Sequence, residues 1–301
     1  MKWKVKLNFP FNWELKLKFS VLPSKPTPCI IKSNKWMRAI RINGKLIPVI
    51  VEGKGSIEKP CIIFESIELD KKERREIEKK VLKFLGIENA DKLYKFMEKD
   101  KILKKIKNEF YGFGRAGYMA MTVYEGVIKA IIQQQIALPV AENIISNLVK
   151  KYGENIMFSN EKLYDFPSPD RLANAPIEEL RKCGLSYRKA EYIKELSQSV
   201  VDGFDLEELR NAKEEEIMET LTTFKGIGRW TAELVMIATL GLNVIPADDL
   251  GIRKAISYFY FKNELQSPEK IREFAEKHFN DFMRDIIVYL LMAYRMQGKQ
   301  T

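Results

Sequence analysis

Lysine and apolar residues alternate from the first positions of the chain. The runs WKVKLNF, WELKLKFSV, KWMRAIRI, KLIPVIVEG and CIIFESIEL follow one another within the first 70 residues. Period-two alternation sends every second side chain to one face, the pattern of half-buried strands. Asn43-Gly44 stands between two of these runs, and that pair supplies the positive backbone angles of a two-residue hairpin turn. An antiparallel sheet is expected. From DKKERREIEKKVLKFLGI onward the period lengthens, and Ile77, Val81, Leu82 and Leu85 fall on one face of a helix.

After residue 105 the chain reads as helix after helix. VYEGVIKAIIQQQIALPVAENIISNLVKKYG carries a long apolar helical pattern interrupted at Pro139. PSPDRLANA, PIEELRKCG, SYRKAEYIKELSQSVVDG, DLEELRNA and KEEEIMETLTTF follow as short pieces. Proline, serine or aspartate opens several of them and glycine closes others, as helix ends require. The expected fold class is α+β: a small antiparallel β-rich domain with trailing helices over residues 1–105, then an all-helical domain over residues 106–301.

Composition narrows the function. The chain has 301 residues, 46% of them hydrophobic, enough for two modest cores. No apolar run reaches the roughly 18 to 20 residues that cross a bilayer. The lysines of the first stretch interrupt what a signal peptide would keep apolar. A soluble protein of the cytoplasm, associated with the nucleoid, is expected. Cys29, Cys61 and Cys183 are far apart and His278 is the only histidine, so a thiolate-bound cluster or ordinary zinc site is not expected. The net charge is +10, and residues 1–105 hold 26 Lys and Arg against 13 Asp and Glu, whereas residues 106–301 hold 25 against 28. Such an excess suits a polyanion, although a Lys/Glu-rich surface also accompanies heat adaptation.

The chemistry is concentrated in LTTFKGIGRWTAELVMIATLGLNVIPADDLGIRKAI. Gly226 and Gly228 lie between a short helix and an apolar one, where missing Cβ atoms let a ligand approach the backbone. The first amides of the second helix are unsatisfied and carry the positive end of its dipole, so the turn can hold a phosphate. A plain helix-to-helix connection would use the same residues. Ile227 between the glycines would pin the turn to the core. Further on, capping of the next helix accounts for one of Asp248 and Asp249 but not for both. The second carboxylate suits a fixed negative charge or a water-activating base.

These residues, with VIKAIIQQQIALPVAENI and FPSPDRLANAPIEELRKCGLSYRKAEYIKELSQSVVDG, resemble the helix-hairpin-helix superfamily of DNA base-excision glycosylases, in its AlkA-like 3-methyladenine DNA glycosylase II branch. The resemblance implies that Asp249 is the catalytic carboxylate, stabilising an oxocarbenium-like sugar and orienting water, with Asp248 in support. It assigns DNA binding to Gly226, Ile227, Gly228, Arg229 and Thr231, with a hairpin-bound monovalent cation, Na+ or K+, as the one accessory ion. Gln134 and Gln135 match the place that fills the gap left by an extruded base. Trp230, where bifunctional members carry a nucleophilic lysine, and Phe282 match pocket aromatics that would stack on a cationic alkylated base, although core packing would equally account for Phe282. Lys189 and Lys225 read as solvated. The implied activity is monofunctional excision of alkylated bases from double-stranded DNA by a monomer. Glycosylases for hypoxanthine or 8-oxoguanine, and a non-catalytic DNA-binding hairpin module, are the alternatives.

Overall fold

Five strands form the first layer: β1 (Lys2–Lys6), β2 (Ile30–Lys32), β3 (Lys35–Ile42), β4 (Lys45–Gly55) and β5 (Pro60–Glu65). The structure, a computed structural model, describes residues 1–19 and 23–298. The sheet is antiparallel throughout, in the order β1-β5-β4-β3-β2. Asn43 and Gly44 both have positive φ, +47° and +79°, and close the β3–β4 hairpin with Ile42 opposite Lys45. Trp3, Trp36, Ile40, Val49, Val51, Ile62 and Phe64 share a core with Ile77, Val81 and Leu85 of helix α2 (Lys71–Leu85). The capping box of Asp70 and Glu73 starts that helix.

One expected strand is a helix. WELKLKF alternates, yet α1 (Trp13–Lys18) forms because Asn12 accepts from the Leu15 amide, and Trp13 and Leu17, four apart, are both buried. Ser20 and Val21, the end of that expected strand, lie outside the described residues.

The second unit is helical: α3 (Asp91–Met97), α4 (Lys101–Glu109), α5 (Val123–Gln133), α6 (Leu138–Tyr152), α7 (Pro169–Ala173), α8 (Ile177–Lys182), α9 (Tyr187–Val201), α10 (Glu214–Thr223), α11 (Arg229–Val235), α12 (Leu250–Tyr260), α13 (Pro268–Phe279) and α14 (Met283–Met296). The break between α5 and α6 falls at residues 134–137, ahead of Pro139, which sits in the first turn of α6 where its missing N–H costs nothing. One two-stranded hairpin, β6 (Asn155–Phe158) with β7 (Glu161–Tyr164), adds to the helices. It packs Leu163, Ile156 and Phe158 onto Ile30, Met37, Ala39 and Ile50, covering the other face of the five-stranded sheet.

The two cores change over between Ile87 and Ala90. Leu93, Met97, Leu103 and Ile106, which fall within the expected first domain of residues 1–105, pack into the helical core. We therefore propose the division at residues 88–89. Across it, buried Arg38 of β3 meets both carboxylate oxygens of buried Glu125 on α5, at 3.1 and 2.8 Å, and Asp165 at 3.3 Å. Lys129, one turn further along α5, is 2.7 Å from Glu125. Among the described residues no helix is long and apolar enough to cross a membrane.

Candidate DNA-binding and catalytic site

Three segments converge. The first is the turn from α10 into α11. Gly226 has φ +82°, and a Cβ there would lie 2.1 Å from a ring carbon of Tyr192, so both conformation and space demand glycine. Ile227 is buried beneath the turn, and its amide donates to Phe224 O at 3.1 Å. Gly228 starts α11 with φ −98° and no capping side chain; a Cβ there would meet nothing within 4 Å. The first amides of α11 have no acceptor within the helix, and they open onto this empty space. Unsatisfied amides, the helix dipole and the open space favour negative charge at this turn.

The second segment follows a π-helical turn at Met236–Leu240 that extends α11. Val244 to Ala247 are buried, and Asp249 then caps α12, its Oδ1 accepting from the Ile252 amide at 2.9 Å. Its Oδ2 accepts from Trp230 Nε1 at 3.3 Å. One oxygen therefore does the capping, and the other is held toward the half-exposed indole at the start of α11. Asp248 is exposed and points into a pocket of about 290 Å³ shared with Arg229, Glu269, Arg272, Glu273 and Glu276.

That pocket changes the standing of Arg229. Its Nε donates to Glu233 Oε1 at 2.9 Å, and four carboxylates line the cavity beside it. Its side chain stays 64% exposed, so its charge is shared with Glu233 at the surface rather than withdrawn from solvent. Glu233 is only 3% exposed and also takes Arg272 at 2.9 Å, while Arg272 donates to Ile245 O at 3.0 Å, clamping the approach to the aspartates. Neither Glu233 nor Arg272 belongs to a motif. A lone carboxylate inside WTAELVMIATL is nevertheless a signal, because a buried charge needs partners.

The third segment is the end of α5. Gln134 turns inward: its Nε2 donates to Gly226 O at 2.8 Å and to Thr231 Oγ1 at 2.9 Å. Thr231 is buried, so its hydroxyl belongs to this contact and only its amide remains for a ligand. Gln135 is exposed and has φ +57°, uncommon for a residue with a side chain. Of the two glutamines expected to fill a gap in DNA, only Gln135 has its side chain free to do so. Lys189 is half-buried rather than free in solvent: its Nζ donates to Ile132 O at 2.8 Å and Gln134 O at 2.7 Å. Lys225 bonds the exposed Glu195.

Phe282 packs on Phe96 of α3 with ring centroids 5.1 Å apart, half-buried against the helical core. Its turn is tied to the loop before Asp248 through Asn243, which donates to Asn280 O at 2.6 Å. Core packing accounts for Phe282; Trp230 is the aromatic joined to the aspartate. Among the described residues no three His, Cys, Asp or Glu side chains converge on a metal position. A monovalent cation at the hairpin would draw on the carbonyls of Phe224 and Gly226, each already accepting a hydrogen bond. A carbonyl oxygen keeps a second lone pair after one hydrogen bond, so both can still face a cation.

A hairpin with open amides, an aspartate at the start of the next helix and an exposed residue in left-handed backbone at the end of α5 define a helix-hairpin-helix protein. The chain belongs to the HhH-GPD superfamily of base excision DNA repair proteins, which residues 128–281 match. Residues 2–89 match the AfAlkA-like, TATA-box binding protein-like domain. The 3-methyladenine DNA glycosylase of Archaeoglobus fulgidus superposes with a TM-score of 0.92 at 46% identity over 98% of each chain. DNA-3-methyladenine glycosylase 1 of Schizosaccharomyces pombe is 36% identical over 46% of this chain and 58% of that protein, little more than half its length. A 3-methyladenine DNA glycosylase of S. pombe in complex with abasic DNA covers 68% of this chain and 97% of its own, with 26% identity and a TM-score of 0.56.

Proposed function

We propose that the protein is a monofunctional DNA glycosylase that extrudes alkylated bases of the 3-methyladenine type from duplex DNA and hydrolyses their N-glycosidic bond. The observation that carries this reading is the pairing of Asp249 with Trp230, which stands just past the hairpin glycines. A phosphate held by the hairpin amides brings the sugar of a flipped nucleotide toward the Asp249 carboxylate. The name of the A. fulgidus neighbour, matched over both domains, supports the same substrate class.

The chemistry follows from charge. An alkylated purine carries a positive charge, so it departs with the electrons of the N-glycosidic bond as a neutral base. The sugar left behind is oxocarbenium-like, and Asp249 stabilises it as a fixed negative charge. Water then bonds to C1′ and gives up a proton, leaving an abasic site. Trp230 orients Asp249 through its indole N–H and offers its ring to the base. With Trp230 in place of a lysine, no Schiff base forms and the strand stays intact. Gln135 occupies the gap in the stack. One monomer suffices for one lesion.

The test is release of 3-methyladenine from a methylated duplex by wild type and Asp249→Asn, with abasic sites counted before and after alkali. The expected result is release by wild type, intact abasic strands, and a variant that binds DNA but releases nothing. Full activity in Asp249→Asn would reduce the aspartate to a cap. If wild type releases no alkylated base, a panel carrying hypoxanthine and 8-oxoguanine decides whether the lesion class or the glycosylase reading fails.

A further inference from the structure

We propose that Lys189 is a positioning residue for the loop that enters the DNA stack, and that with Gln134 it couples that loop to the hairpin. The proposal rests on the reading of Gln135 as the residue that fills the gap. A residue inserted between base pairs works against stacking energy, a few kcal/mol per step. A side chain on a yielding loop would bend away instead. Gln135 also stands in left-handed backbone, which a residue with a Cβ keeps only when its surroundings impose it.

The imposing contacts are few and specific. Lys189, in the first turn of α9, sends one ammonium to two carbonyls at once, Ile132 O at 2.8 Å and Gln134 O at 2.7 Å. These lie at the last turn of α5, where carbonyls lack helical partners and the negative end of the dipole collects. One acceptor belongs to the residue immediately before Gln135. From the same residue, the Gln134 amide reaches Gly226 O and Thr231 Oγ1, the backbone and buried hydroxyl of the hairpin. The loop is thus held from α9 on one side and from the hairpin on the other. A phosphate seated on the hairpin and a side chain pressed into the stack are braced against one frame. Burial lowers the pKa of the Lys189 amine, as expected for an ammonium withdrawn from water onto carbonyls. Nothing in this arrangement brings Lys189 to Asp249, so it acts through the loop and not on the glycosidic bond.

The experiment compares single-turnover release of an alkylated base from two substrates: a fully paired duplex, and the same lesion inside an unpaired bubble, where extrusion is nearly free. Lys189→Met should slow release from the paired duplex about 10- to 30-fold, the loss expected for charge-assisted hydrogen bonds, and leave release from the bubble within about twofold. Lys189→Arg should restore most of the paired rate, and Gln134→Ala should reproduce the selective loss from the opposite side of the brace. Thermal unfolding of each variant accompanies the rates. Equal slowing on both substrates, or no slowing on either, overturns the proposal. If Lys189→Met does not fold, Gln134→Ala decides by the same comparison. A wild type that excises nothing sinks the glycosylase reading instead, and a Gln135→Ala that excises from the paired duplex at the wild-type rate sinks the gap-filling reading.

Discussion

Alanine at the two hairpin glycines separates what the fold needs from what DNA needs. At Gly226 an added Cβ meets the Tyr192 ring at 2.1 Å in a backbone with φ +82°. Left-handed backbone costs about 1–2 kcal/mol for alanine, and displacing a packed ring about 1–3 more. Gly226→Ala should therefore lose roughly 2–5 kcal/mol, a fall in Tm of roughly 3–8 °C for a chain of this size. At Gly228 the φ of −98° suits any residue and a Cβ meets nothing within 4 Å. Gly228→Ala should stay within about 1 kcal/mol of wild type in stability. Its methyl group would, however, stand where a phosphate oxygen must approach the α11 amides. Loss of one charged hydrogen bond weakens binding by about 10- to 100-fold. Circular dichroism melts give the first quantity, and fluorescence anisotropy with an abasic-site duplex gives the second. A folded Gly228→Ala that binds DNA like wild type would refute phosphate capture by the hairpin backbone. A Gly226→Ala that melts like wild type would refute the steric account of that turn.

Other consequences are as direct. Glu125→Gln leaves Arg38 and Lys129 buried with less compensation, and should cost roughly 3–5 kcal/mol in urea unfolding. Burial alone would raise the Glu125 carboxyl, but Arg38 and Lys129 outweigh it and hold it down to about 2, against an ordinary 4.5. The stability it contributes is present above pH 4.5 and is lost as pH falls from there toward 2, about 3 kcal/mol in all. Acid titrations of Glu125→Gln should show a flatter profile in that window. Trp230→Phe keeps a ring but removes the donor to Asp249, and should slow base release about fivefold without weakening DNA binding. Borohydride added during turnover should trap no covalent protein–DNA adduct, because no lysine stands at residue 230.

How much of this was legible depended on whether a residue's partner was local. Alternation marked β3 and β4, and Asn43-Gly44 marked their turn, because both signals are complete within a few residues. WELKLKF misleads because a six-residue helix with buried Trp13 and Leu17 also satisfies an apolar spacing of four. β6 and β7 escape notice because NIMF and EKLY are only four residues each, too short to show a period; Ser159-Asn160, both with positive φ, was the available clue. The glycines and the aspartate pair could be picked out by position, and only the family resemblance singled Asp249 out of the pair. The inward turn of Gln134, the double contact of Lys189 and the Glu233–Arg272 clamp could not, since each joins segments far apart in sequence.

The β6–β7 hairpin bears on what counts as a unit in this molecule. Sequence families divide the chain into two inherited pieces, residues 2–89 and 128–281. The packing does not respect that division. The second piece supplies the lid for the outer face of the first one's sheet and one carboxylate, Asp165, beside buried Arg38, whose other partner, Glu125, stands in the stretch between the two pieces. An isolated first piece would present Met37, Ala39 and Ile50 and an uncompensated guanidinium to water. The two pieces therefore stabilise each other: exchanging either one alone would require re-matching the hairpin and the charges at the seam.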